Sequence, residues 1–189
     1  MEKDLARIAL FAALIAILGL IPTITLGFGV PITAQSLGVM LAGAVLGSRQ
    51  GGLAVLLFIF ATALGLPLLA GGRGGFGVFA SPTVGFVVGF PVAAFATGLV
   101  VERLYRLPPA ISAGIGAFIG GIVVMYAFGT VGMSIILEKS LFEAALLNVA
   151  FLLGDVLKAG LCGMLVAAVA RLRPQMLPWY RVSASRTVR

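Results

Sequence analysis

Residues 83–101 read TVGFVVGFPVAAFATGLVV, 19 positions in a row without a charge. A helix needs about 20 such residues to cross the hydrocarbon core of a bilayer. Working outward, the rest of the chain has the same character. Of 189 residues, 61% are hydrophobic and 10% are charged, and mean hydropathy is +1.18. Soluble domains are nearer half apolar and a quarter charged, and disorder needs still more charge. A membrane barrel requires alternating strands, whereas the apolar runs here are continuous. The reading is an all-α integral membrane protein.

Breaks in hydropathy place five more segments, at 5–21, 33–46, 52–69, 110–137 and 144–170. The chain 1–189 is therefore expected to form one transmembrane domain of six helices, followed by a basic tail at 171–189. Six spans put both termini on one side. That side collects Lys3, Arg7, Arg49, Arg103, Arg106, Arg171, Arg173, Arg181, Arg186 and Arg189, ten cations in all. The other side has Arg73 and Lys139. Basic loops mark the cytoplasmic face, so both termini are expected there. The net charge of +7 belongs to these loops rather than to a nucleic-acid site.

Missing residues limit the chemistry. There is no histidine, and Cys162 is the only cysteine. A His/Cys metal site and a Ser/His/Asp or Cys/His triad are both excluded. No lysine follows a glycine, so no GxxxxGK[ST] phosphate loop exists. Neither an enzyme nor a P-loop ATPase is expected, and no metal or cofactor.

Two charges interrupt the sixth segment, in FLLGDVLKAG at 151–160. Asp155 and Lys158 each cost about 2.5–3.5 kcal/mol at mid-membrane. Their spacing of three puts them on one helix face, which must point into the bundle. A mutual ion pair fixing helix packing is one reading. A ligand site is the other, and the default for ionisable groups at that depth. A carboxylate beside an ammonium suits a ligand presenting N–H and C=O side by side, such as a urea or an amide. Gln35 lies near the outer end of the second segment. Arg73, between Gly71-Gly72 and Gly74-Gly75, is placed to fold inward and meet an anion. Small residues at spacing four, including Ala9/Ala13 on the first segment, permit close helix approach.

Four motifs in order now carry a resemblance: Val30-Pro31-Ile32-Thr33 with Gln35; Gly71-Gly72-Arg73-Gly74-Gly75-Phe76-Gly77-Val78; Ser81-Pro82-Thr83 with Gly85-Phe86 and Gly89-Phe90; and Gly154-Asp155-Val156-Leu157-Lys158-Ala159. Together they resemble the biotin-specific S component of energy-coupling-factor (ECF) transporters, the BioY family. Ser81, Val84, Phe86 and Leu153 depart from the family's usual residues, and Phe86 lacks the tyrosine hydroxyl common there.

The resemblance implies a six-helix subunit of the cell (inner) membrane that captures biotin from outside. It implies a transmembrane coupling protein and ATP-binding-cassette ATPases as partners, with Ala9 and Ala13 at the coupling contact. The substrate site it implies comprises Asp155, Lys158, Arg73, Gln35, Thr33 and Phe86. The ureido N–H groups of biotin suit Asp155 and its carbonyl suits Lys158, while Phe86 walls the rings and Arg73 meets the carboxylate tail; the alternative is the opposite docking, with Lys158 on the carboxylate, which the charge of Asp155 disfavours. The alternatives are an S component for another vitamin and a stand-alone proton-coupled secondary transporter.

Overall fold

The computed structural model describes residues 2–180. Its helices are α1 (Glu2–Leu18), α2 (Gln35–Leu46), α3 (Ser48–Ala63), α4 (Val84–Arg103), α5 (Pro109–Ile136), α6 (Leu141–Leu147) and α7 (Val149–Leu172). Among the described residues α4, α5 and α7 are long and apolar enough to cross a membrane, while α2 and α3 are shorter apolar helices. α4 is packed against α2, α3 and α5. Glycine makes that approach possible. A side chain on Gly43 of α2 would strike the Ala94 carbonyl, one on Gly85 the backbone of Phe128, and one on Gly120 the Thr97 hydroxyl. Lipid offers no hydrophobic drive between helices, so such backbone contact does the holding.

Several boundaries fall elsewhere than hydropathy suggests. Ser48, Arg49 and Gln50 form the first turn of α3 rather than a connection. Gly47 alone makes the corner, with φ of +85°. Glu102 at the end of α4 then accepts hydrogen bonds from the Ser48 N–H at 2.7 Å and its hydroxyl at 2.8 Å. At its other end α3 stops at Ala63, so residues 64–69 are loop. The sixth apolar segment is two helices. Ser140 and Glu143 form a reciprocal capping box that starts the short α6, and α7 begins at Val149. Its α6 end is tied to α5 by Asn148, whose side-chain amide donates to Thr130 at 2.8 Å.

The stretch after α7 is not a free tail as far as Tyr180. Pro174–Met176 form a 3-10 turn, and Leu177 and Trp179 are buried. The Trp179 indole N–H donates to the Ala44 carbonyl at 2.8 Å, near the C-terminal end of α2 where carbonyls lack helical partners. Arg7 donates to the Gln175 carbonyl at 3.2 Å. Arg181, Arg186 and Arg189 lie outside the described residues.

The two glycine-rich connections fold over the opposite end. Between α1 and α2, Ile24–Thr25 pair antiparallel with Pro31–Ile32. Between α3 and α4, Leu69 and Arg73 exchange backbone hydrogen bonds of 3.0 and 3.2 Å. Gly71 and Gly72 close that turn with φ of +77° and +70°, a region L side chains resist.

Candidate ligand-binding site

Beneath these two connections lies a cleft of about 540 Å³ of atom-free space, counting its mouth. Asp155 and Lys158 line its floor from α7, Gln35 and Ser36 from the start of α2, and Phe86, Val87 and Phe90 from α4. Thr33, Leu69 and Arg73 close it from the connections, and Phe151 from α7. The six expected substrate residues therefore share one cavity, although they come from four separate stretches of chain.

At its centre Lys158 Nζ donates to Asp155 Oδ1 at 2.7 Å. The pair is not left to itself. Lys158 also donates to the Ser36 hydroxyl at 3.0 Å, and that hydroxyl donates to Asp155 Oδ1 at 3.2 Å. From α5, the Tyr126 hydroxyl donates to Asp155 Oδ2 at 2.8 Å. Both charges are largely shielded, with side chains 18% and 7% exposed for Lys158 and Asp155. At that burial an unpaired charge would be costly.

Among the described residues the pair keeps some hydrogen-bond capacity. A carboxylate has about four acceptor positions and an ammonium three protons. Two positions on Oδ1 and one on Oδ2 are taken, which leaves one acceptor on Oδ2. Two of the lysine protons are taken, which leaves one donor. The site thus offers one acceptor, on Asp155 Oδ2, and one donor, on Lys158 Nζ.

The rest of the cleft combines apolar walls with Arg73 and the neutral polar residues Thr33, Gln35 and Thr83. The Phe86 ring stands edge-on to Phe151 at 5.9 Å, and Phe151 meets Phe28 at 6.0 Å. Gly129 of α5 leaves room for the Phe86 ring, which a side chain there would strike. Arg73 donates to the Ala70 carbonyl at 3.1 Å and to the Thr83 hydroxyl at 3.2 Å. Two of its five N–H groups are thereby spent and three remain for an anion. Partial burial lowers its pKa without discharging it.

Gln35 has a bracing role within the wall. Its amide nitrogen donates to the Ile15 carbonyl at 3.1 Å and the Leu68 carbonyl at 2.9 Å, and its oxygen accepts from the Ala70 N–H at 3.0 Å. It ties α1, α2 and the Arg73 connection together. The Thr33 carbonyl lies 3.5 Å from Ser36 Oγ. Sequence reasoning missed Ser36 and Tyr126. Tyr126 had a usable signal, because a phenol inside an apolar span needs a hydrogen-bond partner. Ala9 and Ala13 lie far from this chemistry, on an exposed face of α1, while Phe11, Ala12 and Ile15 are buried.

The chain is similar to several known proteins. The biotin transporter BioY of Rhodobacter capsulatus is 52% identical over 186 residues, covering 94% of this chain and 98% of that protein. The BioY of Lactococcus lactis is 33% identical, covering 92% of each. A crystal structure of the S component for biotin from an ECF-type ABC transporter superimposes with a TM-score of 0.84 at 30% identity, covering 90% of this chain and 92% of that one. The profile of one family, described as the BioY family, matches residues 2–175. The chain belongs to the BioY family.

Proposed function

We propose that this protein is the substrate-binding membrane subunit for biotin uptake. The observation that carries the reading is the remaining capacity of the charge pair. One acceptor on Asp155 and one donor on Lys158 match one N–H/C=O edge of a cyclic urea. Binding that edge satisfies both groups without adding a charge to a buried site. The apolar wall of Phe86 and Phe151 suits the fused rings, and the three unspent N–H groups of Arg73 suit the carboxylate tail. The reverse docking sets a carboxylate against Asp155 and is opposed by like charge.

The remaining parts follow from charge and surface. Six membrane segments with both termini in the cytoplasm accord with the ten-to-two distribution of basic residues. The cleft then opens outward under its two connections, in the cell (inner) membrane. The chain has no phosphate loop of its own, and in this reading the ECF coupling protein and its ATPases power the movement of biotin. Ala9 and Ala13 supply a close-approach face for that partner.

A competition panel tests the function. Purified protein is loaded with radiolabelled biotin and challenged with excess unlabelled vitamins. Retention of the label and its displacement by biotin alone support the reading; failure to retain radiolabelled biotin, or equal displacement by another vitamin, contradicts it. Uptake in a host lacking ECF ATPases separates the partner-dependent subunit from a stand-alone carrier: gradient-driven accumulation there contradicts the subunit role.

A further inference from the structure

A second depression lies on a different face of α4 from the ligand cleft. It runs between α3 and α4, with Gly52, Leu53 and Leu56 on one side and Pro91, Val92 and Phe95 on the other. Leu53, Leu56, Val92 and Phe95 are exposed, and Phe60 continues the apolar line along α3. Arg49 closes one end. From Arg49 to Phe60 the helix rises about 16 Å, roughly half of the ~30 Å hydrocarbon thickness. The groove itself runs about 10 Å, from Arg49 to Leu56, and exposed Phe60 extends its apolar line to about the length of one leaflet.

Its charged end points to the occupant. Among the described residues Arg49 has no ion pair or hydrogen bond. It stands in the first turn of α3, where the helix end adds positive potential. Glu102, at the end of α4, is already held by the Ser48 N–H and hydroxyl. An unpaired guanidinium above an exposed apolar groove matches a phosphate with an acyl chain beneath it.

We propose that this groove binds an anionic phospholipid, one acyl chain lying along Gly52, Leu56 and Phe95 and the headgroup phosphate on Arg49. The proposal rests on the membrane-embedded reading above but not on the identity of the cleft ligand.

Native mass spectrometry of the detergent-purified full chain tests it, with phosphatidylglycerol or phosphatidylcholine titrated in. The wild type is expected to retain phosphatidylglycerol about fivefold better than phosphatidylcholine, the gain from one basic contact near a membrane surface. Arg49→Gln should bring the two lipids level. Gly52→Leu should reduce retention of both by filling the groove. A first side-chain carbon at 52 meets Phe95 and the Pro91 carbonyl at an ordinary 3.6 Å, so the backbone tolerates it. Neither residue lines the ligand cleft, so unchanged biotin titration certifies that each variant is folded. If Gly52→Leu does not fold, Arg49→Gln decides alone. Equal retention of both lipids by the wild type, or an unchanged preference in Arg49→Gln, overturns the proposal. So does loss of a dimer rather than of lipid in Gly52→Leu, which assigns the groove to a second copy of the chain.

Discussion

Asp155 is held on three sides, and each contact has a different consequence for binding. Lys158 balances its charge, Ser36 bridges the pair, and Tyr126 fixes Oδ2, the oxygen with acceptor capacity left. Tyr126 does not line the cleft, so it acts by positioning the carboxylate. Tyr126→Phe removes one hydrogen bond to a charged group and nothing else of the ring. Biotin affinity is expected to fall roughly 10- to 100-fold, the range for such a bond. Calorimetry on monodisperse protein checks this, and an unchanged affinity removes Tyr126 from the positioning role. The legibility of the site follows from cost. Asp155 and Lys158 stand out in sequence because a charge in an apolar run is expensive. Hydroxyls are cheap in the same background, so Ser36 and Tyr126 carry no comparable signal.

Among the elements, the connection carrying Arg73 depends on one amide. Gln35 serves the Leu68 carbonyl, the Ala70 N–H and the Ile15 carbonyl, so it fixes both flanks of the turn at Leu69–Arg73. Gln35→Leu leaves those groups unsatisfied at about 1–3 kcal/mol each where they stay buried. The expected result is faster amide hydrogen exchange at Leu69 and Arg73, with weaker biotin binding as the Arg73 contact loosens. Wild-type exchange rates in the variant contradict that bracing role. The exposed face of α1 carries a separate prediction. Replacing Ala9 and Ala13 by Trp blocks close helix approach. It should abolish copurification with the coupling protein while leaving biotin affinity within about twofold, since among the described residues none from α1 lines the cleft. Normal copurification means the partner docks elsewhere. Element boundaries were only partly legible. Hydropathy cannot see that Gly47 turns the chain within one residue, or that Ser140 and Glu143 open a new helix inside an apolar segment. It also reads residues after Leu172 as a basic tail, because burial of Leu177 and Trp179 depends on contacts with helices far earlier in the chain.

At the scale of the whole molecule, composition carried the most information. The charge-free run at 83–101 marks a membrane protein, and the lack of histidine narrows the side-chain chemistry. Side-to-side charge bias gives an expected orientation. A reporter fused after Arg189 is expected to be active only in the cytoplasm, and activity on the outer side contradicts the six-segment arrangement. Which residues converge on the cleft was less accessible, because helix order along the chain does not say which helices touch. The central claim is that the Asp155–Lys158 pair reads the ureido edge of biotin. Calorimetric titration of biotin into Asp155→Asn, first shown to be monodisperse in detergent, tests it most directly. The substitution keeps the size of the side chain but removes its charge and turns one acceptor into a donor. Binding should weaken by about 2–5 kcal/mol, the cost of breaking one side of a buried charged pair, or roughly 30-fold to several-thousand-fold in affinity. Wild-type affinity in the folded variant would contradict the account and return the pair to a packing role.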